Sequence, residues 1–269
     1  MDSTSDSKLL TLLEENLEYY LDIYAALPGG SINRELDLTW IITDVPNKFV
    51  NILYGARFHN KGLSERIEMA LQPYREKKNP VHWWIGPRTC PPNLSAILVE
   101  SGFTLSLELT GMFAYRHKIL SNISSSGLTI KEVSNFKGLL DFANVFIIAN
   151  GHDKEASSLI AELWARTGVG PGNEWRYFIG EFEQKPVATV TIRINPESAT
   201  ILHVAVLPEF RKRGFAKFMT KAALKLESLD DHHLVILHAT AMARSLYKKI
   251  GFNPICKLSA YTWPGESVF

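Results

Sequence analysis

Apolar positions along the chain change rhythm from segment to segment. Leu9, Leu10, Leu13, Leu17, Tyr20, Leu21 and Tyr24 recur every three or four residues. That spacing predicts an amphipathic helix over Ser7–Leu27, closed by Pro28, Gly29 and Gly30. β-rich runs follow at Leu38–Thr43 and Phe49–Phe58, then a helical pattern at Leu63–Glu76 and a strand-like run at Val81–Ile85. Leu94–Glu100 reads as a short helix stopped by Ser101, Gly102 and Phe103, and Leu105–Arg116 as a strand.

Lys118–Gly127 (KILSNISSSG) is rich in Ser and Asn and ends in Gly, a composition that solvates well and packs poorly. It predicts a boundary between an N-terminal lobe over 1–120 and a second lobe over 127–269. Beyond it, strands are expected at Leu128–Val133, Arg176–Phe182, Val187–Ile194, Thr200–Leu207, Leu234–His238 and Ile255–Trp263. Helices are expected at Phe136–Asn150, Lys154–Thr167, Gly214–Ser228 and Ala241–Ile250. Glu183–Pro186 is a hairpin-like connection. An antiparallel-looking start with a βαβα ending predicts an α/β fold, a mixed sheet covered by helices. LSAILVESGF (94–103) and RSLYKKIGF (244–252) echo each other as a helix closed by Gly-Phe and followed by a strand. Two copies of one fold would explain the echo and the length; a common helix C-cap explains the echo equally well.

A length of 269 residues fits two compact units, and 46% apolar with 21% charged residues excludes a disordered chain. Lys plus Arg number 29 against 28 Asp plus Glu, so the basic excess of a nucleic-acid wrapper is missing and any anion site is local. Cys90 and Cys256 build neither a disulfide framework nor a zinc site, and no metal is expected. The first residues are polar and acidic, unlike a secretory signal. The most apolar stretch, Phe142–Ala149, is interrupted by Asn144 and far below the ~20 residues that span a bilayer. A cytoplasmic protein with no membrane partner is the expectation, which makes the glycosylation-type triplet at Asn122 incidental.

The chemistry concentrates in residues 204–216, VAVLPEFRKRGFA. An apolar strand ends at Pro208, a short loop carries Arg211, Lys212 and Arg213, and Gly214 opens a helix with Phe215 and Ala216. The first turn of a helix has amides without partners and a dipole that favours an anion. Glycine lets a phosphate approach them closely. Alone, the six-residue pattern fits a solvated basic helix start as well as a pyrophosphate site. No GxxxxGK[ST] or GxGxxG occurs in the chain.

Arg211-Lys212-Arg213-Gly214-Phe215-Ala216, followed at the usual separation by Ala243-Arg244-Ser245-Leu246-Tyr247-Lys248-Lys249-Ile250-Gly251-Phe252, resembles the two signatures of the GNAT superfamily of acyl-CoA-dependent N-acetyltransferases. The element order from Leu128 to Trp263 fits as well. The first half, with Trp83-Trp84-Ile85-Gly86-Pro87, Ser101-Gly102-Phe103 and Gly111-Met112, is similar to a two-part subset of these proteins. It lacks the Arg-x-x-Gly-x-Gly loop, so as a second copy of the fold it is expected to be degenerate and without the cofactor site.

The resemblance implies acetyl-CoA as co-substrate. Backbone groups of Val204, Ala205 and Val206 would pair with the pantetheine arm. Amides of Arg211–Ala216 would hold the pyrophosphate. Tyr247 would protonate the leaving thiolate while the acceptor amine attacks the acetyl carbon directly. A thiol pKa of ~8.5 makes the thiolate a fair leaving group, whereas an alkyl ammonium at ~10.4 must first lose a proton. His203 and His238 are candidate bases, although each reads more readily as a packed or exposed histidine with no proton role. Many relatives carry Asn seven residues before the tyrosine; here Thr240 offers a single hydroxyl. Trp83, Trp84, Trp164, Trp175 and Trp263 read as core residues, and His232-His233 as a solvated turn. The implied activity is acetyl transfer to a primary amine of a small molecule or peptide. Two alternatives remain open: a CoA-binding sensor without turnover, and an acyltransferase for a longer acyl chain. Nothing in the chain selects an oligomeric state.

Overall fold

A computed structural model describes residues 3–59, 61–120, 127–152, 154, 156–226 and 233–265. Residues 121–126 of the expected linker and Asp231-His232 of the polar turn lie outside the described residues. Contacts divide the chain into two compact units. The first is Met1–Gly111 with Ile255–Phe269, and the second is Met112–Pro254.

In the first unit the expected long helix is two helices, α1 (Ser3–Glu15) and α2 (Tyr19–Tyr24). Between them the backbone tightens: Leu17 N–H donates to Glu14 O at 3.0 Å and Glu18 N–H to Glu15 O at 2.9 Å, bonds that reach back three residues rather than four. Strands β1 (Ser31–Arg34), β2 (Thr39–Ile42) and β3 (Ile52–Tyr54) follow; β1 was not expected from the sequence. Helix α3 (Leu63–Glu76) buries Leu63, Ile67, Ala70, Leu71 and Tyr74, one face of a 3.6-residue repeat. It leads to β4 (Val81–Ile85), then α4 (Leu94–Glu100) and β5 (Thr104–Tyr115), which crosses into the second unit's span. Trp83 is fully buried with Leu71, Tyr74 and Leu98, while its neighbour Trp84 packs with Leu21, Ile41 and Leu258, as alternation across a strand requires.

The second unit contains α5 (Arg116–Ile119), β6 (Thr129–Glu132), α6 (Phe136–Ala149), α7 (Ala156–Ala165), β7 (Trp175–Phe182), β8 (Lys185–Ile194) and β9 (Ser198–Val206). It continues through α8 (Phe215–Leu226), β10 (Leu234–Thr240) and α9 (Ala241–Ile250). Its strands lie in the order β10-β9-β8-β7-β6, parallel between β10 and β9 and antiparallel elsewhere. Asn135 caps α6, its side chain accepting from Gly138 N–H at 2.9 Å. Glu183 and Gln184, both at positive φ, make the two-residue turn between β7 and β8.

The last strand, β11 (Asn253–Trp263), pairs antiparallel with β4, from Ser259↔Ile85 to Trp263↔Val81. Residues 255–269 therefore belong with the first unit, whereas the sequence reading grouped them with 127–269. Residues 118–120 and 127 fall inside the second unit's span. A polar, Ser-rich composition marks a loop; it carries no information on which sheet a distant strand joins.

Candidate cofactor and catalytic site

The site is built on one irregular strand. Ala188↔Val206 and Thr189↔Ala205 are paired across β8 and β9, but Thr191 is paired with Leu202. One extra residue therefore sits in β9 at His203–Val204, and His203 has φ +49. The bulge changes which way the strand faces. Ala199 and Ile201 pack into the core beneath α8 and α9, and so do Val204 and Val206, although regular alternation would place those two on the opposite face. His203 itself turns to the other side, where its ring lies 4.4 Å from Trp164, 5.1 Å from Phe146 and 6.3 Å from Phe142 between centroids.

Two β8 threonines hold this residue. Thr189 Oγ1 donates to His203 O at 2.8 Å, and Thr191 Oγ1 is 3.0 Å from His203 Nδ1. Both threonines are fully buried. The parallel pairing of β9 with β10 runs only from Ser198↔Leu234 to Ile201↔Leu237. Among the described residues this pairing ends at Ile201, just before the bulge.

The strand leads through Pro208–Phe210 into the Arg211–Gly214 loop. Gly214 has φ +83, a conformation that strains any side chain, and a Cβ built there meets nothing within 4 Å. Phe218 N–H is the amide that donates to Gly214 O, at 3.0 Å; those of Gly214–Lys217 precede it at the open end of α8. The three cations differ in what they do. Arg211 donates from Nε to Val206 O at 3.1 Å and from Nη2 to Ala149 O at 2.6 Å, tying the loop to β9 and to the end of α6. Arg213 lies over the rings of Phe210 (5.3 Å) and Phe182 (5.6 Å). Lys212 is exposed at φ +63. Phe215 is buried in the core and Ala216 half-buried, so they contribute backbone to the loop and not side-chain chemistry.

Thr240 is the N-cap of α9, and its hydroxyl makes no capping bond. Tyr247 is buried on that helix, 5.7 Å from the Phe252 ring. Burial raises its phenol pKa well above the usual value, against the opposing effect of its hydrogen bond with the Thr220 side chain. Such a phenol is protonated at neutral pH, and the same shift makes it a weaker acid than a free tyrosine. His203 is shifted the other way: burial in the aromatic box pushes its pKa down to about 3. An imidazole that weak does not fit the role of base toward an ammonium at ~10.4. His238 lies half-buried on β10. The tryptophans pack as expected: Trp83, Trp84, Trp164 and Trp175 are buried, and Trp263 is half-buried with Arg75 stacked over it at 5.7 Å.

Thr189, Thr191 and Phe146 were not singled out by the sequence reading. A signal for the bulge was present, since the apolar alternation of Ala199 and Ile201 resumes one residue out of step at Val204 and Val206.

This architecture, a bulged strand parting from its parallel neighbour above a glycine-opened helix, is the fold of the GCN5-related N-acetyltransferases. Residues 173–254 match the family model of the acetyltransferase (GNAT) domain. Among solved structures, the GCN5-related N-acetyltransferase from Kribbella flavida aligns with TM-score 0.70 and 16% identity, covering 95% of this chain and 96% of that one. A functionally unknown conserved protein from Staphylococcus epidermidis aligns with TM-score 0.68 and 15% identity, over 91% and 97%. A tandem GNAT protein from the clavulanic acid biosynthesis pathway aligns with TM-score 0.64 and 15% identity, over 94% and 96%. The fold thus extends over both units. No curated protein matches the chain. Among the described residues, no helix is long and apolar enough to cross a membrane, and no group of three or more His, Cys, Asp or Glu could hold a metal ion.

Proposed function

We propose that the second unit binds acetyl-CoA and transfers its acetyl group to a primary amine of a small molecule or peptide. The observation that carries this reading is the end of β9–β10 pairing at Ile201↔Leu237, beyond which the edge formed by Val204, Ala205 and Val206 leads into the Gly214 loop. An amide-bearing pantetheine arm suits such an edge, with Val204, Ala205 and Val206 as its partners. A pyrophosphate suits the amides from Arg211 to Ala216 at the start of α8. Lys212 adds an exposed positive charge there.

In this reading the amine attacks the acetyl carbon directly. The C–S bond breaks, and Tyr247 gives its phenolic proton to the departing sulfur. The thiolate is a fair leaving group, so the proton need only help modestly. Thr240, at the mouth of α9, offers a hydroxyl to the arm. The amine proton leaves by a base other than His203, and His238 is the remaining histidine of the two.

The test is thermal unfolding with acetyl-CoA, free CoA and NADH as separate ligands. A ligand at 100 times its dissociation constant adds ~2.7 kcal/mol to the stability. A raised midpoint with both CoA species and none with NADH is expected, followed by amine-dependent release of free thiol. No shift with either CoA species would overturn the proposal.

A further inference from the structure

The first unit repeats the cofactor-binding framework of the second. Its β3 and β4 are a parallel pair, Ile52↔His82 and Leu53↔Trp83, joined through α3. Gly62, at φ +73, is the N-cap of α3, as Gly214 at φ +83 precedes α8. The difference lies beyond the second parallel strand. In the second unit β10 passes directly into α9, with Thr240 as its cap. In the first unit β4 ends at Ile85 and α4 begins at Leu94, so residues 86–93 intervene.

That segment returns to the edge that continues β3. Cys90 N–H donates to Ala56 O at 3.0 Å, and Phe58 N–H donates to Cys90 O at 2.9 Å, a parallel bridge centred on Arg57. A buried carboxylate fastens it. Glu14 on α1 has an 8% exposed side chain and accepts from Arg88 N–H at 2.7 Å, Arg88 Nε at 2.5 Å and Arg57 Nη2 at 3.0 Å. Arg88 Nη1 also donates to Thr11 Oγ1 at 2.8 Å. Close packing is built in, since a Cβ at Gly86 would come within 2.5 Å of Glu14 Oε1. The first helical turn differs too. Glu65 stands in α3, its Oε2 3.2 Å from where a Gly62 Cβ would be, whereas α8 has no acidic residue there. A carboxylate at that position already satisfies the positive end of the helix and repels a phosphate.

We propose that residues 86–90 form an internal strap that fills the first unit's copy of the pantetheine groove, so that the chain takes one acyl-CoA, in the second unit. The strap supplies from within the chain the kind of backbone bonds that, in the proposed reading, Val204–Val206 of the second unit would offer to a ligand. The proposal rests on the cofactor reading of the second unit only for the number of sites; the strap itself is independent of it.

Two measurements on the full chain test it. Hydrogen exchange at the amides of Phe58 and Cys90 should be slow and unchanged by acetyl-CoA, and Arg88→Ala should speed exchange at Cys90. Rapid exchange in the unaltered protein, or new protection on adding acetyl-CoA, would overturn the strap. Calorimetric titration with acetyl-CoA should give one site per chain, lost in Gly214→Glu and kept in Arg88→Ala. Two sites would overturn the proposal. No binding at all would overturn the second unit's cofactor assignment, while slow exchange at Cys90 would still support a closed first unit.

Discussion

His203 and Thr191 are joined across β9 and β8 by a 3.0 Å contact between Nδ1 and Oγ1, at the residue where β9 gains its extra position. With Thr189 Oγ1 on His203 O at 2.8 Å, the residue is gripped at both main chain and side chain. A non-glycine residue in the left-handed region costs roughly 1–2 kcal/mol. Two hydrogen bonds of about 1 kcal/mol each offset that. These contacts hold His203 at the bulge, next to the residue where the β9–β10 pairing ends.

Thr191→Val keeps the shape of the side chain and removes its hydroxyl. The KM for acetyl-CoA should rise about two- to tenfold, matching one lost hydrogen bond, with kcat nearly unchanged. Thr191→Ser should restore it. A variant that melts earlier but keeps its KM would show that the threonine only stabilises the sheet.

Gly214→Glu combines a side chain at φ +83 with a negative charge at the open end of α8. The conformational strain alone is ~1–2 kcal/mol, and the like charge adds to it. Acetyl-CoA should no longer raise the melting midpoint, and an unchanged shift would remove the loop from the binding site.

Tyr247→Phe should lower kcat by about 10²-fold, the lower end of general acid catalysis. It should leave acetyl-CoA affinity in place. Losing the bond to Thr220 should also lower stability by about 1 kcal/mol. Full turnover in this variant would end the acid assignment.

Arg211 acts through geometry, its guanidinium bonded to Val206 O and Ala149 O. Arg211→Lys keeps the charge but loses the fork that spans both carbonyls. The affinity for acetyl-CoA should therefore fall in Arg211→Lys about as far as in Arg211→Ala. Rescue by lysine would mean that charge alone matters.

Two buried histidines set an acid limit on stability. Burial holds His203 at about 3 and, with a smaller effect from Lys48, His82 at about 4, against ~6.5 unfolded. Both are neutral when folded, so the unfolded chain binds more protons below pH ~6.5. Stability is complete above that pH and falls as pH drops toward 4, where His82 begins to charge in the folded state. Denaturant titrations between pH 7 and 4 should show this slope, and His203→Gln should make it shallower. A flat profile would contradict the assigned burial.

Much of this was legible beforehand. Helices Leu63–Glu76, Leu94–Glu100 and Ala241–Ile250 have the expected bounds, because periodic apolar faces run into clear stops such as Gly251 at φ +124. The loop at Arg211–Ala216 and the helix bearing Tyr247 follow from local spacing. What escaped the reading depends on distant partners. The break near Asn16 lies within an unbroken apolar repeat, and the positive φ of His203 is held by Thr189 and Thr191 of the neighbouring strand, so nothing in the local sequence advertises either. The strap was hidden because Cys90 and Ala56 meet only after folding.

The place of β11 has a consequence for synthesis. Ribosomes emit residues 1–111 first, yet that unit's sheet lacks one strand until residues 255–263 emerge. The second unit has all its strands from β6 to β10 before then. Until then β4 has a backbone edge without the partner that β11 becomes, although Trp83 already has Leu71, Tyr74 and Leu98 of its own unit around it. The first unit's sheet is therefore completed only by β11, after the second unit's strands have been made.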